Sequence, residues 1–108
     1  MAVYTTEEIV ERILPVVQQY KVERVWLFGS YARGDATEKS DVDLIIKGEF
    51  VHGWDFFGLM EELKEVLQKE VDMLSENQFE HSKYAPLSKR FVEEVEMDRR
   101  LIFNGDAE

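Results

Sequence analysis

The sequence predicts an α/β fold, a two-layer sandwich in which helices flank one mixed β-sheet. Short runs of β-branched and aromatic residues alternate along the chain with amphipathic stretches of helical period. The chain has 108 residues, of which 44% are hydrophobic, enough apolar material for one compact core. It has no internal repeat and no long linker, so we predict one domain spanning residues 1–108.

The first third of the chain predicts a helix followed by a strand. Thr5 and Glu8 have the spacing of a capping box, and apolar residues then recur at helical period as far as Tyr20. Residues 22–28 are short, β-branched and aromatic, as in a buried strand. The strand runs into a turn at Gly29-Ser30, and the three residues before Gly34 allow one helical turn at most.

The middle of the chain predicts a loop, a strand and a helix. Residues 35–40 are polar and are predicted as a loop. Residues 42–46 are apolar apart from Asp43 and show little alternation, which is typical of a fully buried strand. Apolar residues then repeat at helical spacing from Phe56 to Leu67, with Asp55 as the N-cap.

The last third of the chain predicts two strands and a helix. Residues 70–74 read as a short strand, and residues 75–85 lack a period and are predicted as a loop. Pro86 suits the first position of a final helix, in which Leu87, Phe91 and Val95 would line the packed face. Residues 101–103 are predicted to form an edge strand.

Composition and charge exclude several functions. The formal net charge is −10 and the chain lacks a basic stripe, so we expect no direct nucleic-acid binding. The absence of cysteine excludes disulfides, thiolate catalysis and Cys-type zinc sites. The first residues do not resemble a signal peptide, and no apolar run approaches the ~20 residues of a membrane span. We therefore expect a cytoplasmic protein without membrane contact.

Two carboxylates on one predicted strand suggest a metal site. Asp41 and Asp43 are two residues apart, so their side chains would project from the same face with Cα atoms about 6.5–7 Å apart. Carboxylates this close repel each other unless a cation lies between them. Oxygen ligands favour Mg²⁺, which completes its shell with water and substrate phosphates. Two such ions can stabilise both oxygens of an in-line displacement at phosphorus.

The turn before these carboxylates has the features of a phosphate-binding site. Gly29 and Ser30 follow a strand and open a short helix, where backbone N–H groups favour an anion. Arg33 lies one turn further on and could reach the same anion, while Arg33 and Lys39 could equally be solvated loop charges. We therefore assign Gly29, Ser30 and Arg33 to phosphate binding.

Asp72 is the third candidate carboxylate. It lies between Val71 and Met73 in an otherwise apolar strand, where an ionised side chain needs a partner. If that strand pairs beside residues 42–46, Asp72 could complete the metal site or act as a general base. The alternative is a structural, hydrogen-bonded Asp at a strand end.

A Gly-Ser pair, ten residues and Asp-Val-Asp, followed by a third Asp on a later strand, resembles the minimal nucleotidyltransferases of the DNA polymerase β-like superfamily. The likeness in layout extends from about Thr5 to Phe103. It implies an NTP substrate bound through two Mg²⁺ ions, and transfer of a nucleoside monophosphate with loss of pyrophosphate. It also implies that Asp41, Asp43 and Asp72 are the catalytic and metal-binding carboxylates.

Very short members of this family resemble the antitoxins of HEPN/minimal nucleotidyltransferase pairs. That resemblance implies transfer of AMP from ATP to a tyrosine of a HEPN ribonuclease toxin. Two alternatives remain open, namely transfer to a small-molecule acceptor and neutralisation of the toxin by binding alone. His52 and His81 lack ligand-type neighbours, so we expect no metal role for them. Trp54 could serve the core, stack on adenine or contact a partner.

Overall fold

The computed structural model describes residues 3–48, 53–77, 79 and 89–105, apart from the side chains of residues 53 and 54. The expectations for His52, for His81, for a helix start at Pro86 and for the side chain of Trp54 lie outside the described residues. No helix in the described part of the chain is long and apolar enough to cross a membrane.

Besides the helical residues 76, 77 and 79, the described structure contains four helices and four strands, in the predicted order of elements. In chain order they are α1 (Thr6–Gln19), β1 (Arg24–Phe28), α2 (Gly29–Arg33), β2 (Val42–Lys47), α3 (Gly53–Leu67), β3 (Val71–Ser75), α4 (Lys89–Asp98) and β4 (Arg100–Asn104). The sheet order is β3-β2-β1-β4, with β1 antiparallel to both of its neighbours and β2 parallel to β3. The predicted mixed sheet with flanking helices is confirmed.

Local sequence explains where several elements begin and end. The Glu8 N–H donates to Thr5 Oγ1 at 3.1 Å and the Thr5 N–H donates to Glu8 Oε1 at 2.8 Å, which completes the predicted capping box of α1. The short helix α2 ends at Gly34, whose φ of 89° is left-handed, and the Gly34 N–H donates to the Ser30 carbonyl at 2.9 Å.

Apolar side chains form two clusters, one on each face of the sheet. The larger cluster joins α1 and α3 to the sheet through buried residues that include Ile9, Ile13, Leu44, Leu59 and Leu63. The smaller one lies on the opposite face and consists of Phe28, Ile45, Phe79, Val92 and Val95, with Trp26 and Leu74 packed against it. The carboxylates described below lie on the face of this smaller cluster.

Three sequence predictions differ from the structure. The helix α3 begins at Gly53, so Asp55 lies in its first turn rather than at its N-cap. Residues 76, 77 and 79 are helical where we predicted a loop, and Phe79 is buried. The packed face of α4 consists of Val92 and Val95, whereas Phe91 is exposed. Residues three apart and residues four apart both lie on the same side of a helix, so the spacing used in the prediction could not distinguish this face from the predicted one.

Candidate active site

The pairing of β2 with β3 brings two of the predicted carboxylates together. The two strands run parallel, and their register places Asp43 opposite Asp72. On its other side, Asp43 lies opposite Phe28, the last residue of β1. Directly opposed residues of neighbouring strands point to the same face of a sheet. The strand arrangement on which the assignment of Asp72 depended is therefore present.

The electrostatics of this pair reflect two acids in a partly buried position. Burial, followed by a side-chain hydrogen bond to Asp72 and the charges of Asp72 and Asp41, raises the pKa of Asp43 to about 7. In its protonated form the Asp43 hydroxyl donates this bond to the Asp72 carboxylate. Asp43 is half-buried, whereas Asp72 is exposed. Two like charges in this arrangement are stabilised either by a shared proton or by a cation.

Asp41 lies apart from this pair. The strand β2 begins at Val42, so Asp41 is the residue directly before the strand, and its side chain is exposed. Its charge still contributes to the raised pKa of Asp43. In the described ranges, no three His, Cys, Asp or Glu side chains are arranged so that together they could hold a metal ion.

The carboxylate pair nevertheless fits a hard divalent cation. Asp43 and Asp72 supply oxygen ligands at one point, and their mutual repulsion is relieved when a cation replaces the shared proton. Mg²⁺ needs only one or two protein carboxylates because substrate phosphates and water complete its shell.

The turn at the start of α2 lies against the Asp43 carboxylate. Gly29 has a φ of 72°, in the left-handed region, and a Cβ placed on it would overlap Asp43 Oδ2 and lie 3.0 Å from Asp43 Cγ. A side chain at this position would therefore both strain the backbone and displace the carboxylate. Ser30 follows as the next residue of α2 and is half-buried.

A cavity of about 380 Å³ opens beside the carboxylate pair. The described residues that line it come from β1, α2, β2, β3 and α4 and are Phe28, Gly29, Arg33, Asp43, Asp72, Met73, Leu74, Phe91, Glu94, Val95 and Asp98. Four of the six predicted site residues are thus brought together. The other two, Ser30 and Asp41, flank the cavity without lining it, and Lys39 is exposed in the loop outside it.

Arg33 is engaged by acidic side chains in this structure. Its Nη1 donates to Asp98 Oδ2 at 2.9 Å and its Nε donates to Asp35 Oδ2 at 3.3 Å. The hydrogen bonds to Asp98 and then Asp35 raise the pKa of the guanidinium. The contact with Asp98 joins α2 to α4 across the cavity. A phosphate that binds Arg33 would therefore compete with Asp98.

Sequence reasoning missed Lys69, which holds the loop that precedes the carboxylates. Lys69 Nζ donates to the Glu38 carbonyl at 2.7 Å and to the Ser40 carbonyl at 3.2 Å. The same ammonium lies 5.9 Å from the centre of the Tyr31 ring. These contacts fix the backbone on the N-terminal side of Asp41. The sequence offered no signal for them, because a lysine near the end of a helix is ordinarily solvated.

Sequence reasoning also missed the contribution of α4 to the cavity. Phe91, Glu94 and Asp98 line the wall opposite the sheet. Their spacing of three and four residues is a signal that places them on one side of a helix.

Comparison with known proteins matches the chain to one family over most of its length. The sequence profile described as the nucleotidyltransferase domain matches residues 10–102. A candidate protein adenylyltransferase of Methanocaldococcus jannaschii is 44% identical over 71 residues, which is 65% of this chain and 76% of that protein. The protein adenylyltransferase MntA of Thermococcus cleftensis is 38% identical over 80 residues, covering 68% of this chain and 80% of that protein.

Solved structures share the fold. A structure described as a candidate minimal nucleotidyltransferase superposes with a TM-score of 0.64 at 30% identity, covering 93% of this chain and 98% of that one. A toxin–antitoxin crystal structure with AMP-PNP superposes with a TM-score of 0.65 at 19% identity, covering 89% of this chain and 73% of that one. A structure described as the tri-AMPylated HEPN toxin of Shewanella oneidensis in complex with its MNT antitoxin superposes with a TM-score of 0.61 at 16% identity. The match covers 93% of this chain and 73% of that one.

Proposed function

The chain belongs to the nucleotidyltransferase domain family and is an enzyme of that class, and we propose that it transfers AMP from ATP to a tyrosine of a HEPN ribonuclease toxin. The observation that carries the proposal is the position of Asp43 opposite Asp72, at a cavity bordered by Gly29. In this proposal the chain acts as an antitoxin and silences its partner by modification.

The names of similar proteins support the choice of reaction. Relatives are named protein adenylyltransferases, and structures of the same fold are toxin–antitoxin complexes, one with AMP-PNP and one with an AMPylated HEPN toxin. The net charge of −10 supports a partner of opposite charge. An RNA-cleaving toxin, which must attract phosphates, has the charge that such a partner requires.

The proposed reaction assigns separate tasks to the site residues. Asp41, Asp43 and Asp72 would hold two Mg²⁺ ions, which when bound neutralise phosphate charge and stabilise the attacking and leaving oxygens. The Ser30 hydroxyl and the N–H groups at the start of α2 would hold the terminal phosphates. Asp72, the exposed member of the pair, would accept the proton of the tyrosine hydroxyl. The bond from the phenolic oxygen to the α-phosphorus then forms as pyrophosphate leaves.

A transfer assay tests the proposal. The full chain, labelled ATP, Mg²⁺ and the cognate ribonuclease should yield label on the partner, and a Tyr→Phe variant of the modified residue should remain unlabelled. No transfer, under conditions in which an active relative labels its own toxin, would contradict the proposal.

A double variant distinguishes catalysis from neutralisation by binding alone. We expect Asp41→Ala/Asp43→Ala to form the complex with the toxin, measured by size-exclusion chromatography, but to lose neutralisation. If the variant still neutralised the toxin, binding alone would account for the antitoxin effect. Labelling of small-molecule acceptors in the absence of any protein partner would indicate the third alternative.

A further inference from the structure

We infer that the cavity wall formed by α4 binds the nucleobase of the nucleotide, with the ring of Phe91 as its stacking surface. The inference rests on the proposed function, because it requires a nucleotide whose phosphates lie near Asp43 and Asp72. It adds a base-binding subsite on α4 that neither the sequence motif nor the carboxylates specify.

The cavity lining combines polar and apolar residues. The polar ones are Gly29, Arg33, Asp43, Asp72, Glu94 and Asp98, and the apolar ones are Phe28, Met73, Leu74, Phe91 and Val95. A nucleotide likewise combines charged phosphates with an aromatic base. Sites for such ligands combine an apolar wall with a few polar groups that fix orientation.

Phe91 lines the cavity with a ring that a ligand can reach. The residue is 45% exposed, although α4 packs on the sheet through Val92 and Val95. The Phe91 ring meets the Phe28 ring in an edge-to-face arrangement, with centroids 6.3 Å apart and an angle of 85° between the planes. This contact holds the Phe91 ring in place. A base that stacks on a preplaced aromatic ring binds more tightly because little side-chain entropy is lost.

The position of Phe28 connects the base subsite to the reacting phosphate. Phe28 supports the Phe91 ring and lies opposite Asp43 in the sheet, one residue before Gly29. The two subsites are therefore neighbours in one cavity, as the base and the phosphates of one molecule require.

The acceptor is the other aromatic group that could occupy this wall. Asp72 is exposed and lies on β3, which is an edge strand of the sheet in the described part of the chain, so a partner protein could approach Asp72 from that edge. The wall formed by α4 is across the cavity from the sheet. We therefore assign the α4 wall to the base and the β3 edge to the acceptor.

Equilibrium binding to the full chain tests the subsite without any partner. Affinities for Mg-ATP and for Mg-tripolyphosphate, which lacks a base, are measured by calorimetry for the wild type, Phe91→Ala and Phe91→Tyr. Met97→Ala is the matched control, because Met97 is on the same helix, is 86% exposed and is not among the cavity-lining residues. Circular dichroism monitors folding of each variant.

We expect Phe91→Ala to lose affinity only for the ligand that contains a base. Phe91→Ala should weaken Mg-ATP binding by at least about fivefold, the lower end of base–aromatic stacking. Its affinity for Mg-tripolyphosphate should stay within about twofold of the wild type. Phe91→Tyr and Met97→Ala should bind both ligands like the wild type.

Three results would overturn the inference. They are an unchanged affinity of Phe91→Ala for Mg-ATP, an equal loss of affinity for both ligands, and a defect confined to labelling of the partner, which would place the acceptor on Phe91. A wild-type chain that bound Mg-ATP through Phe91 but modified no partner would contradict the proposed antitoxin activity and leave the base subsite in place.

Discussion

Asp43 and Asp72 lie opposite each other on parallel strands, and a hydrogen bond joins their carboxyl groups. This bond needs a proton, whereas the proposed reaction needs a cation at the same place. The pair therefore couples metal binding to pH.

Binding of Mg²⁺ should weaken in mild acid. The pKa of Asp43 is raised to about 7, so this carboxyl is mostly protonated at pH 6 and mostly ionised at pH 8. Since the cation must displace the proton, we expect Mg²⁺ affinity about tenfold lower at pH 6 than at pH 8. Calorimetry in buffers of different ionisation enthalpy would measure both the affinity and the released proton. Equal affinities at the two pH values would contradict the shared proton.

The same pair should make the metal-free protein less stable as pH rises. The pKa of Asp43 in the folded state lies above its ordinary value of 3.8, so the folded state binds more protons than the unfolded state between these values. Stability is therefore fully present below the ordinary pKa and is lost as pH rises through about 7.

Replacement of Asp43 by Asn should remove this loss. We expect Asp43→Asn to melt at least about 4 °C above the wild type at pH 8 without metal, with a smaller difference at pH 5. Glu11→Gln, on the exposed surface of α1, controls for the change in net charge. A similar gain in both variants would assign the effect to overall repulsion.

Alanine variants of two glycines distinguish backbone strain from a steric effect of the added side chain on the site. Gly29 and Gly34 both have positive φ, so alanine at either position should cost about 1–2 kcal/mol of stability. A Cβ at Gly29 would overlap the Asp43 carboxylate, whereas one at Gly34 would meet nothing within 4 Å. Gly29→Ala should therefore lose at least tenfold in Mg²⁺ affinity, on the order of 1.4 kcal/mol. Gly34→Ala should retain its affinity, and equal losses would argue against the contact.

Lys69 should act as a positioning residue for the loop that leads to Asp41. Without its hydrogen bonds to the carbonyls of Glu38 and Ser40, the loop loses its attachment to the turn between α3 and β3. We expect Lys69→Met to lower kcat by roughly tenfold, on the order of 1.4 kcal/mol, and to raise the Mg²⁺ requirement.

Variants of two lysines give the comparison for that prediction. Lys69→Arg should recover part of the activity, because its guanidinium can also donate to carbonyls. Lys64→Met, which removes ion pairs of Lys64 with Glu61 on α3 and with Glu70 after it, should have normal kinetics. If Lys69→Met and Lys64→Met had similar kinetics, Lys69 would not be a positioning residue.

The ion pair between Arg33 and Asp98 should limit nucleotide affinity. Asp98→Asn would free the guanidinium for a phosphate, so we expect Mg-ATP to bind about twofold to fivefold more tightly. Arg33→Ala should bind it more weakly. The Arg33 side chain is 48% exposed, so neither change should move the melting temperature much. If Asp98→Asn bound ATP no better, Arg33 would not be a phosphate ligand.

Much of this fold could be predicted because its signals are local. The capping box of α1 and the apolar runs of β1 and β2 lie in short segments of sequence. Phe79 was missed because one buried aromatic residue creates no period. The packed face of α4 was missed because the rotation of a short helix depends on the sheet beneath it rather than on its own sequence.

For the candidate site, too, the residues that are close together in sequence were predictable and those that depend on distant contacts were not. The motif from Gly29 to Asp43 is contiguous, and only a condition on strand pairing was needed to place Asp72. Lys69 and Phe91 could not be predicted in the same way, because their relevance comes from contacts between elements far apart in the chain. The roles of the six predicted site residues remain predictions for the experiments above.

Among the described residues, the two apolar clusters differ in size, which has a consequence for how the cavity opens. The described contacts hold the wall formed by α4 through the smaller cluster, while the carboxylates belong to strands anchored by the larger one. We therefore expect local unfolding of α4 to require less free energy than global unfolding. Amide hydrogens of α4 should exchange with solvent well before those of β1 and β2, and warming should remove base selectivity while the cation still binds.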